Sequence, residues 1–288
     1  MNARTLSILA TGTLLGTLVI AQGQAAQDPP APQEATAEQD PASSPDATEA
    51  TAEAMPHVPT PPLDLRRIKP LQGDAVAGKA KAEVCGACHG AEGIAIAPLF
   101  PNLAGQHAEY LYWQLQEYKR GNVPPSTMTP LVTDLSDTDM RDIAMYYASL
   151  PHNPPTPPAA PAEPSSTEEG ATDETPATPI DPALVAQGES LYLDGNPAKG
   201  MPPCQGCHGG DAMGFPDALK PDRDGHVPYA VFPILRGQQH DYLQTRLAQY
   251  QAGTIVDSST DKVMNSVGHR LDSDSIAAIS AYLSGLDK

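Results

Sequence analysis

All four cysteines of this 288-residue chain fall in two five-residue motifs. The motifs are residues 85–89 (Cys-Gly-Ala-Cys-His) and 204–208 (Cys-Gln-Gly-Cys-His), and both have the form Cys-x-x-Cys-His. Because every cysteine is used there, none is left for a structural disulfide elsewhere in the chain. The motifs therefore predict two equivalent sites, and the segments around each site must fold so as to serve it.

The segments that follow the two motifs repeat each other. Residues 100–106 (Phe-Pro-Asn-Leu-Ala-Gly-Gln) match residues 232–238 (Phe-Pro-Ile-Leu-Arg-Gly-Gln) at an offset of 132. The match continues through apolar positions with helical spacing and ends at a glycine, which predicts an amphipathic helix closed by a C-terminal Gly in each copy. These pairs are Tyr110/Tyr242, Leu111/Leu243, Leu115/Leu247, Tyr118/Tyr250 and Gly121/Gly253.

A second matched stretch, at an offset of 136, predicts the last helix of each copy. Ser136 and Asp272 are expected to be its N-caps, with acidic residues in the first turn. A further helix is expected before each motif, over residues 74–84 and 182–192. The second copy has 13 extra residues before Phe232, and these are expected to form a loop. The matched pairs are Met128/Met264, Leu135/Leu271, Met140/Ile276, Ile143/Ile279, Tyr146/Tyr282 and Tyr147/Leu283.

Two proline-rich stretches flank the first copy, at residues 26–69 and 151–181. They hold much of the net charge of −18, with 8 acidic and 3 basic side chains in residues 27–69 and 6 acidic and no basic ones in the other stretch. Such stretches bury too little apolar surface to offset chain entropy, so we expect disorder. The sequence thus predicts all-α domains at residues 70–150 and 182–288, joined by a disordered linker long enough that they need not touch.

The first 25 residues have the pattern of an export signal. Arg4 provides a positive start, residues 6–21 are largely apolar, and residues 23–25 end in small side chains. We expect cleavage after Ala25 and a periplasmic location. The alternative is an uncleaved membrane anchor through residues 6–21, because about 16 apolar residues approach the roughly 17 needed to span a bilayer.

A Cys-x-x-Cys-His motif places two thiols one helical turn apart, with an imidazole beside the second. The thiols can add to the two vinyl groups of one haem, and the imidazole can bind its iron. A thioredoxin-like redox pair would need a strand-and-helix context that the pattern lacks, and a zinc site would need four cysteines to converge. We therefore expect two covalently attached haem c groups, held by Cys85, Cys88 and His89 and by Cys204, Cys207 and His208.

The sixth iron ligand distinguishes an electron carrier from a haem enzyme. Met128 and Met264 occupy the same repeat position, seven residues before the Leu that opens the last helix. We expect both to be axial ligands, and His/Met ligation leaves no open position for a substrate. An enzyme would require one haem to lack its methionine or to exchange it for substrate. Outside candidates for the second iron are Met213, His226, His240 and His269.

The two motifs, the repeated Phe-Pro-x-Leu-x-Gly-Gln segment and the methionine before each last helix resemble the dihaem cytochrome c4 family. The resemblance covers residues 74–150 and 182–286, and it implies two tandem cytochrome c-like domains with His and Met as axial ligands. It also implies that the backbone carbonyls of Pro101 and Pro233 hold the proximal imidazoles. Members of that family usually have a short connection that packs the haems face to face, and the linker over residues 151–181 departs from this.

The resemblance implies a periplasmic electron carrier. Its expected donor is a quinol-oxidising complex or a dehydrogenase, its expected acceptor is a terminal oxidase or reductase, and no nucleic-acid partner is expected. An alternative is a dihaem cytochrome subunit of a periplasmic oxidoreductase that oxidises, for example, sulfide or an alcohol. A third hypothesis is that the chain is itself a haem enzyme, such as a peroxidase or a thiosulfate dehydrogenase.

Overall fold

The structure, a computed structural model, describes residues 63–152, 180–256 and 258–286. All of these residues belong to one compact unit, Val58–Lys288. The expected export signal or membrane anchor in residues 1–25 lies outside the described residues, as do most of the two proline-rich stretches. Within the described residues, no helix is long and apolar enough to cross a membrane.

The regular structure of the described residues is helical, and β-pairing there is confined to two isolated bridges, which confirms the all-α prediction. In the first half the α-helices are α1 (Ala75–Lys81), α2 (Gly86–His89), α3 (Ala108–Arg120), α4 (Met128–Val132) and α5 (Asp137–Ser149). In the second half they are α6 (Pro182–Asp194), α7 (Gln205–His208), α8 (His240–Ala252), α9 (Ser259–Gly268) and α10 (Ser273–Gly285). Short 3-10 turns cover Leu65–Arg67, Glu83–Cys85 and Pro197–Lys199.

The helix ends carry the capping residues that the sequence predicts. Ser136 and Asp272 accept hydrogen bonds from backbone N–H groups in the first turns of α5 and α10. Gly121 and Gly253 follow α3 and α8 with left-handed φ angles of 72° and 65°. Both predictions are confirmed, because these helix ends are decided by local hydrogen bonding and by the freedom of glycine at positive φ.

In each half the first helix crosses the last helix at a glycine. A Cβ atom on Gly78 of α1 would lie 1.9 Å from the carbonyl oxygen of Asp142 in α5. A Cβ atom on Gly188 of α6 would also lie 1.9 Å from a carbonyl oxygen, that of Ala278 in α10. Only a residue without a side chain permits this approach. The crossing brings the motif that follows α1 or α6 close to the core of its own half.

Each half has its own apolar core, built from matched positions of the repeat. In the first half, Tyr146 and Tyr147 of α5 pack with Leu111 of α3, and in the second half Tyr282 of α10 packs with Leu243 of α8. The two tandem cytochrome c-like folds expected from the sequence therefore share one packing plan. The buried members of the two cores include Ala82, Ile143 and Ala144 in the first half and Leu191, Tyr192, Met201, Leu271, Ile276 and Ile279 in the second.

Residues 63–69 form an ordered arm, so the prediction of a disordered tether up to residue 69 is wrong for this segment. Leu65 is buried against Trp113 of α3 and Val231 of the second half. The prediction failed because apolar side chains at helical or extended spacing are too few here to stand out from the surrounding proline-rich sequence. Two backbone hydrogen bonds tie the arm to the second half, from Ser259 N–H to the Leu63 carbonyl and from Val227 N–H to the Ile68 carbonyl.

The two halves pack against each other, a contact that the length of the linker did not require. The equivalent helices α3 and α8 face each other, and Arg246 of α8 donates to the side chain of Gln114 in α3. Beyond these helices, Val123 of the first half packs with Tyr250 and Ile255 of the second. The shared boundary is therefore partly apolar and partly hydrogen-bonded.

Replacing Gly188 by Ala is expected to destabilise the protein, because α6 would have to move away from α10. Overpacking of this kind costs about 1–3 kcal/mol or more. Gly285→Ala is the matched control on α10, since nothing lies within 4 Å of a Cβ atom at that position. Thermal unfolding of the haem-loaded proteins measures the difference, and equal Tm values for the two variants would show that the crossing does not depend on the glycine.

Candidate haem sites

The first motif is held by α2, a single helical turn that follows the 3-10 turn Glu83–Cys85. His89 ends this turn and is buried. Its Nδ1 lies 2.9 Å from the carbonyl oxygen of Pro101. A carbonyl can only accept, so Nδ1 carries the proton and donates, and Nε2 is left with the lone pair that can bind a metal.

The second motif has the same local structure. His208 ends α7, is buried, and places its Nδ1 3.0 Å from the carbonyl oxygen of Pro233. The ring of Phe232 lies beside it, with centroids 6.4 Å apart, as Phe100 lies beside His89 at 6.2 Å. Each Phe-Pro segment of the repeat thus supplies one ring contact and one carbonyl to the imidazole of its own half.

Burial shifts the pKa of both imidazoles and of the first thiol of each motif. It lowers the pKa of His89 and of His208, although the hydrogen bond to the proline carbonyl acts in the opposite direction. The neutral imidazole is the form that binds metal. Burial also raises the pKa of Cys85, and it raises the pKa of Cys204 to about 11.

A cavity of ≈ 280 Å³ lies against the first motif. Cys85, Cys88 and His89 line it, and so does Met128 at the start of α4. The cavity therefore brings together all four residues that the sequence assigns to the first haem. Most of the other lining side chains are apolar, among them Leu99, Phe100, Leu111, Leu115, Leu131 and Val132.

The same cavity extends to the second half of the chain. Pro233, Leu235 and Tyr242 of the second half contribute to its lining, together with Gln238 and Arg246. A group bound at the first motif is therefore in reach of side chains from both halves. No local pattern in the sequence indicates this, because these residues lie more than 100 positions away from the first motif.

The second methionine, Met264, lies in α9 and is partly buried. It packs with Tyr250 and Ile255 of its own half and with Tyr118 and Val123 of the first half. The helix that carries it directly precedes the last helix of its half, as α4 does, but Met128 is the first residue of α4 whereas Met264 lies inside α9.

The outside candidates for the second iron are exposed or have other hydrogen-bond partners. Met213 is exposed. The Nδ1 of His240 lies 2.9 Å from the carboxylate of Asp241, and the Nδ1 of His269 lies 2.7 Å from the carbonyl of Gln251. His226 lies beside Asp222 in the loop that contains the 13-residue insertion.

The surroundings of Arg246 indicate whether the lining of the first cavity is compatible with a bound haem. It donates to Gln114 Oε1 at 3.0 Å and to the Tyr118 hydroxyl at 3.1 Å. It is 9% exposed, and its Nε has no hydrogen-bond partner among the described residues. A buried donor without an acceptor costs about 1–3 kcal/mol, and more when it is charged. Haem carries two propionate carboxylates, so its charge and shape fit a cavity with apolar walls and one buried guanidinium.

The paired thiols, the buried imidazole held through Nδ1, the methionine and the apolar cavity define a c-type cytochrome. A family model described as cytochrome c matches residues 73–151. The chain is also 39% identical to cytochrome c4 of Pseudomonas aeruginosa over 224 residues, which cover 78% of this chain and 94% of that protein. Cytochrome c4 of Azotobacter vinelandii is 37% identical, with 78% and 94% covered.

The chain belongs to the cytochrome c4 family. It is therefore a dihaem c-type cytochrome, an electron-transfer protein with covalently bound haem. The crystal structure of reduced recombinant cytochrome c4 from Pseudomonas stutzeri has a similar fold, with a TM-score of 0.56 and 36% identity over 75% of this chain and all of that one. A more distant relative is the thiosulfate dehydrogenase electron acceptor of Stutzerimonas stutzeri, 28% identical over 71% of this chain and 80% of that protein.

Proposed function

We propose that His89 with Met128 and His208 with Met264 are the axial ligands of the two haem irons. The proposal is supported by one observation above all: each buried imidazole donates its Nδ1 proton to a proline carbonyl, so that Nε2 is aimed as a ligand. Haem with two such ligands exchanges single electrons and has no open coordination position for a substrate. The residues of the chain orient the imidazoles, exclude water and supply the methionines.

We further propose that Arg246 binds a propionate of the first haem. The orphaned Nε supports this, and so does the position of the residue in the lining of the cavity that contains His89. The guanidinium is a donor with a planar, fixed geometry, which suits a carboxylate. In this role it would be a residue of the second half that holds a haem of the first.

The proposed location is the periplasm, with the chain exported by its first 25 residues and either released or anchored through residues 6–21. The proposed partners are a quinol-oxidising complex or a dehydrogenase as donor and a terminal oxidase or reductase as acceptor. Relatives named as electron acceptors of thiosulfate dehydrogenase favour the dehydrogenase as donor.

A second candidate function is that of a dedicated cytochrome subunit bound to such a dehydrogenase. The chain resembles part of the structure of thiosulfate dehydrogenase (TsdBA) from Marichromatium purpuratum, with a TM-score of 0.55 and 26% identity over 74% of this chain and 40% of that one. Purification of the native protein separates the two functions. Recovery in a stoichiometric complex with a catalytic subunit would support the dedicated subunit, and recovery alone would support the free carrier.

Replacing Met128 by Leu is expected to remove about half of the Met-to-iron absorption band of the oxidised protein, because one of the two irons loses its thioether ligand. Met264→Leu is expected to remove the other half. Met145→Leu is the control, a methionine of α5 that does not line the cavity. Full band intensity in either of the first two variants would show that the replaced methionine is not a ligand.

Replacing Arg246 by Met is expected to lower the reduction potential of the first haem, because a buried positive charge stabilises the reduced state. The expected effect is on the order of 1 kcal/mol, or about fivefold in the ferric-to-ferrous ratio at a fixed potential. Arg66→Met removes the same charge from an exposed site and is the control. Equal shifts at both haems, or no shift at the first, would contradict the propionate assignment.

A further inference from the structure

Two glutamines cross the boundary between the halves in a reciprocal arrangement. Gln238 accepts from the backbone N–H of Asn102 at 2.7 Å and donates to its carbonyl at 3.0 Å. Gln106 accepts from the backbone N–H of Ile234 at 2.9 Å and donates to its carbonyl at 2.9 Å. Gln106 and Gln238 are equivalent positions of the repeat, and so are Asn102 and Ile234. Each half therefore holds the backbone of the other through one glutamine, and we call each such pair of hydrogen bonds a clasp.

The clasped residues directly follow the prolines that hold the imidazoles. The carbonyl of Pro101 and the N–H of Asn102 belong to one peptide group. That group accepts from His89 at its oxygen and donates to Gln238 at its nitrogen. A continuous path of hydrogen bonds and one peptide group thus leads from the imidazole of the first half to a glutamine of the second.

The second site has the equivalent arrangement. The peptide group between Pro233 and Ile234 accepts from His208 at its oxygen and donates to Gln106 at its nitrogen. Both glutamines are buried, with 5% of the surface of Gln106 and 7% of that of Gln238 exposed. Water therefore has little access to replace either side chain as the partner of the peptide N–H.

The electronic consequence follows from the resonance of the peptide group. Donation from the peptide N–H increases the negative charge on the peptide oxygen, because nitrogen and oxygen share one delocalised system. Hydrogen bonds in such a chain strengthen one another by about 10–30% per bond. A stronger acceptor on Nδ1 makes the imidazole a more basic ligand, and a more basic ligand favours ferric over ferrous iron.

We propose that each glutamine is a positioning residue that lowers the reduction potential of the haem in the other half. Gln238 acts on the first haem through Asn102, Pro101 and His89. Gln106 acts on the second haem through Ile234, Pro233 and His208. The proposal rests on the proposed function in one respect, namely that His89 and His208 are iron ligands.

Through this path of hydrogen bonds, the strength of the contact between the halves also depends on the oxidation state of the irons. Coupling between two equilibria is reciprocal. If the clasp favours ferric iron, ferric iron strengthens the clasp by the same factor. The oxidised protein therefore holds its two halves together more tightly than the reduced protein does.

The test is an NMR-monitored redox titration of the full haem-loaded chain, in which the haem methyl resonances report on each haem separately. Gln238→Met removes the bonds to Asn102 while keeping the length of the side chain. It is expected to raise the potential of the first haem, with a change of about two- to fourfold in the ferric-to-ferrous ratio at a fixed potential. Gln106→Met is expected to do the same at the second haem. Gln238→Met is expected to leave the second haem unchanged, whereas Gln106 also lines the cavity of the first haem, so the readout for Gln106→Met is the second haem.

Gln239→Met is the matched control. Gln239 lies at the same boundary, but its amide donates to the side chain of Asn102, at 3.3 Å, and not to the peptide group. It is expected to change neither potential. A second readout is the Nδ1 proton of the proximal imidazole in the ferrous protein, whose resonance is expected to move upfield for His89 in Gln238→Met and for His208 in Gln106→Met.

Three results would overturn the proposal. A shift of similar size at both haems in Gln238→Met, the absence of a shift at the second haem in Gln106→Met, or similar shifts in Gln239→Met would mean that the substitutions do not act through the peptide groups. The wild-type spectrum tests the proposed function separately. If it lacks the Met-to-iron band at either haem, the ligand assignment fails. If the bands are normal but one of the three results above is found, only the proposed role of the glutamines fails.

Discussion

The hydrogen bond from each buried imidazole to a proline carbonyl is the interaction on which the rest of this molecule depends. It places the proton on Nδ1, leaves the lone pair of Nε2 available to a metal, and restrains the ring. The carbonyl must therefore be held in place, and the Phe-Pro-x-Leu-x-Gly-Gln segment does this in both halves. The phenylalanine contacts the imidazole, the proline supplies the carbonyl, and the glutamine reaches the equivalent segment of the other half.

The packing around this bond explains the shared architecture. Gly78 and Gly188 let the first helix of each half approach the last helix closely, so that the motif that follows is held against the core. The clasps of Gln106 and Gln238 then join the two segments that carry the carbonyls. The two halves are not structurally independent, since the same peptide groups belong to a haem site and to the boundary between the halves. In an electron carrier with two sites, this arrangement sets the geometry of both sites together, because one continuous structure positions the two imidazoles.

The boundary is asymmetric in charge at Arg246. Gln114 and Arg246 occupy equivalent positions of the repeat and bond to each other, so the second half contributes a buried cation where the first contributes a neutral amide. The cavity lining places this cation with the first haem site. With Arg246 bound to the first haem as proposed, the two haems lie in different electrostatic surroundings, although their local motifs are alike. A difference of this kind gives electrons a preferred site within one molecule, which is useful to a protein that accepts from one partner and donates to another.

The sequence by itself determined the all-helical fold, the two tandem haem domains, the family and the helix ends at Ser136, Asp272, Gly121 and Gly253. These depend on short-range patterns: motif spacing, helical periodicity and capping, which neighbouring residues decide. It also indicated Met128 and Met264 as ligands, through their equal position in the repeat, and this ligand assignment remains a prediction. Only the tertiary structure decided that the halves touch, that residues 63–69 pack against both, and that Gln106, Gln238 and Arg246 form hydrogen bonds with the other half. Contacts between residues more than 100 positions apart leave no local pattern, and the proline-rich linker constrains only how far apart the halves can be, not how they meet.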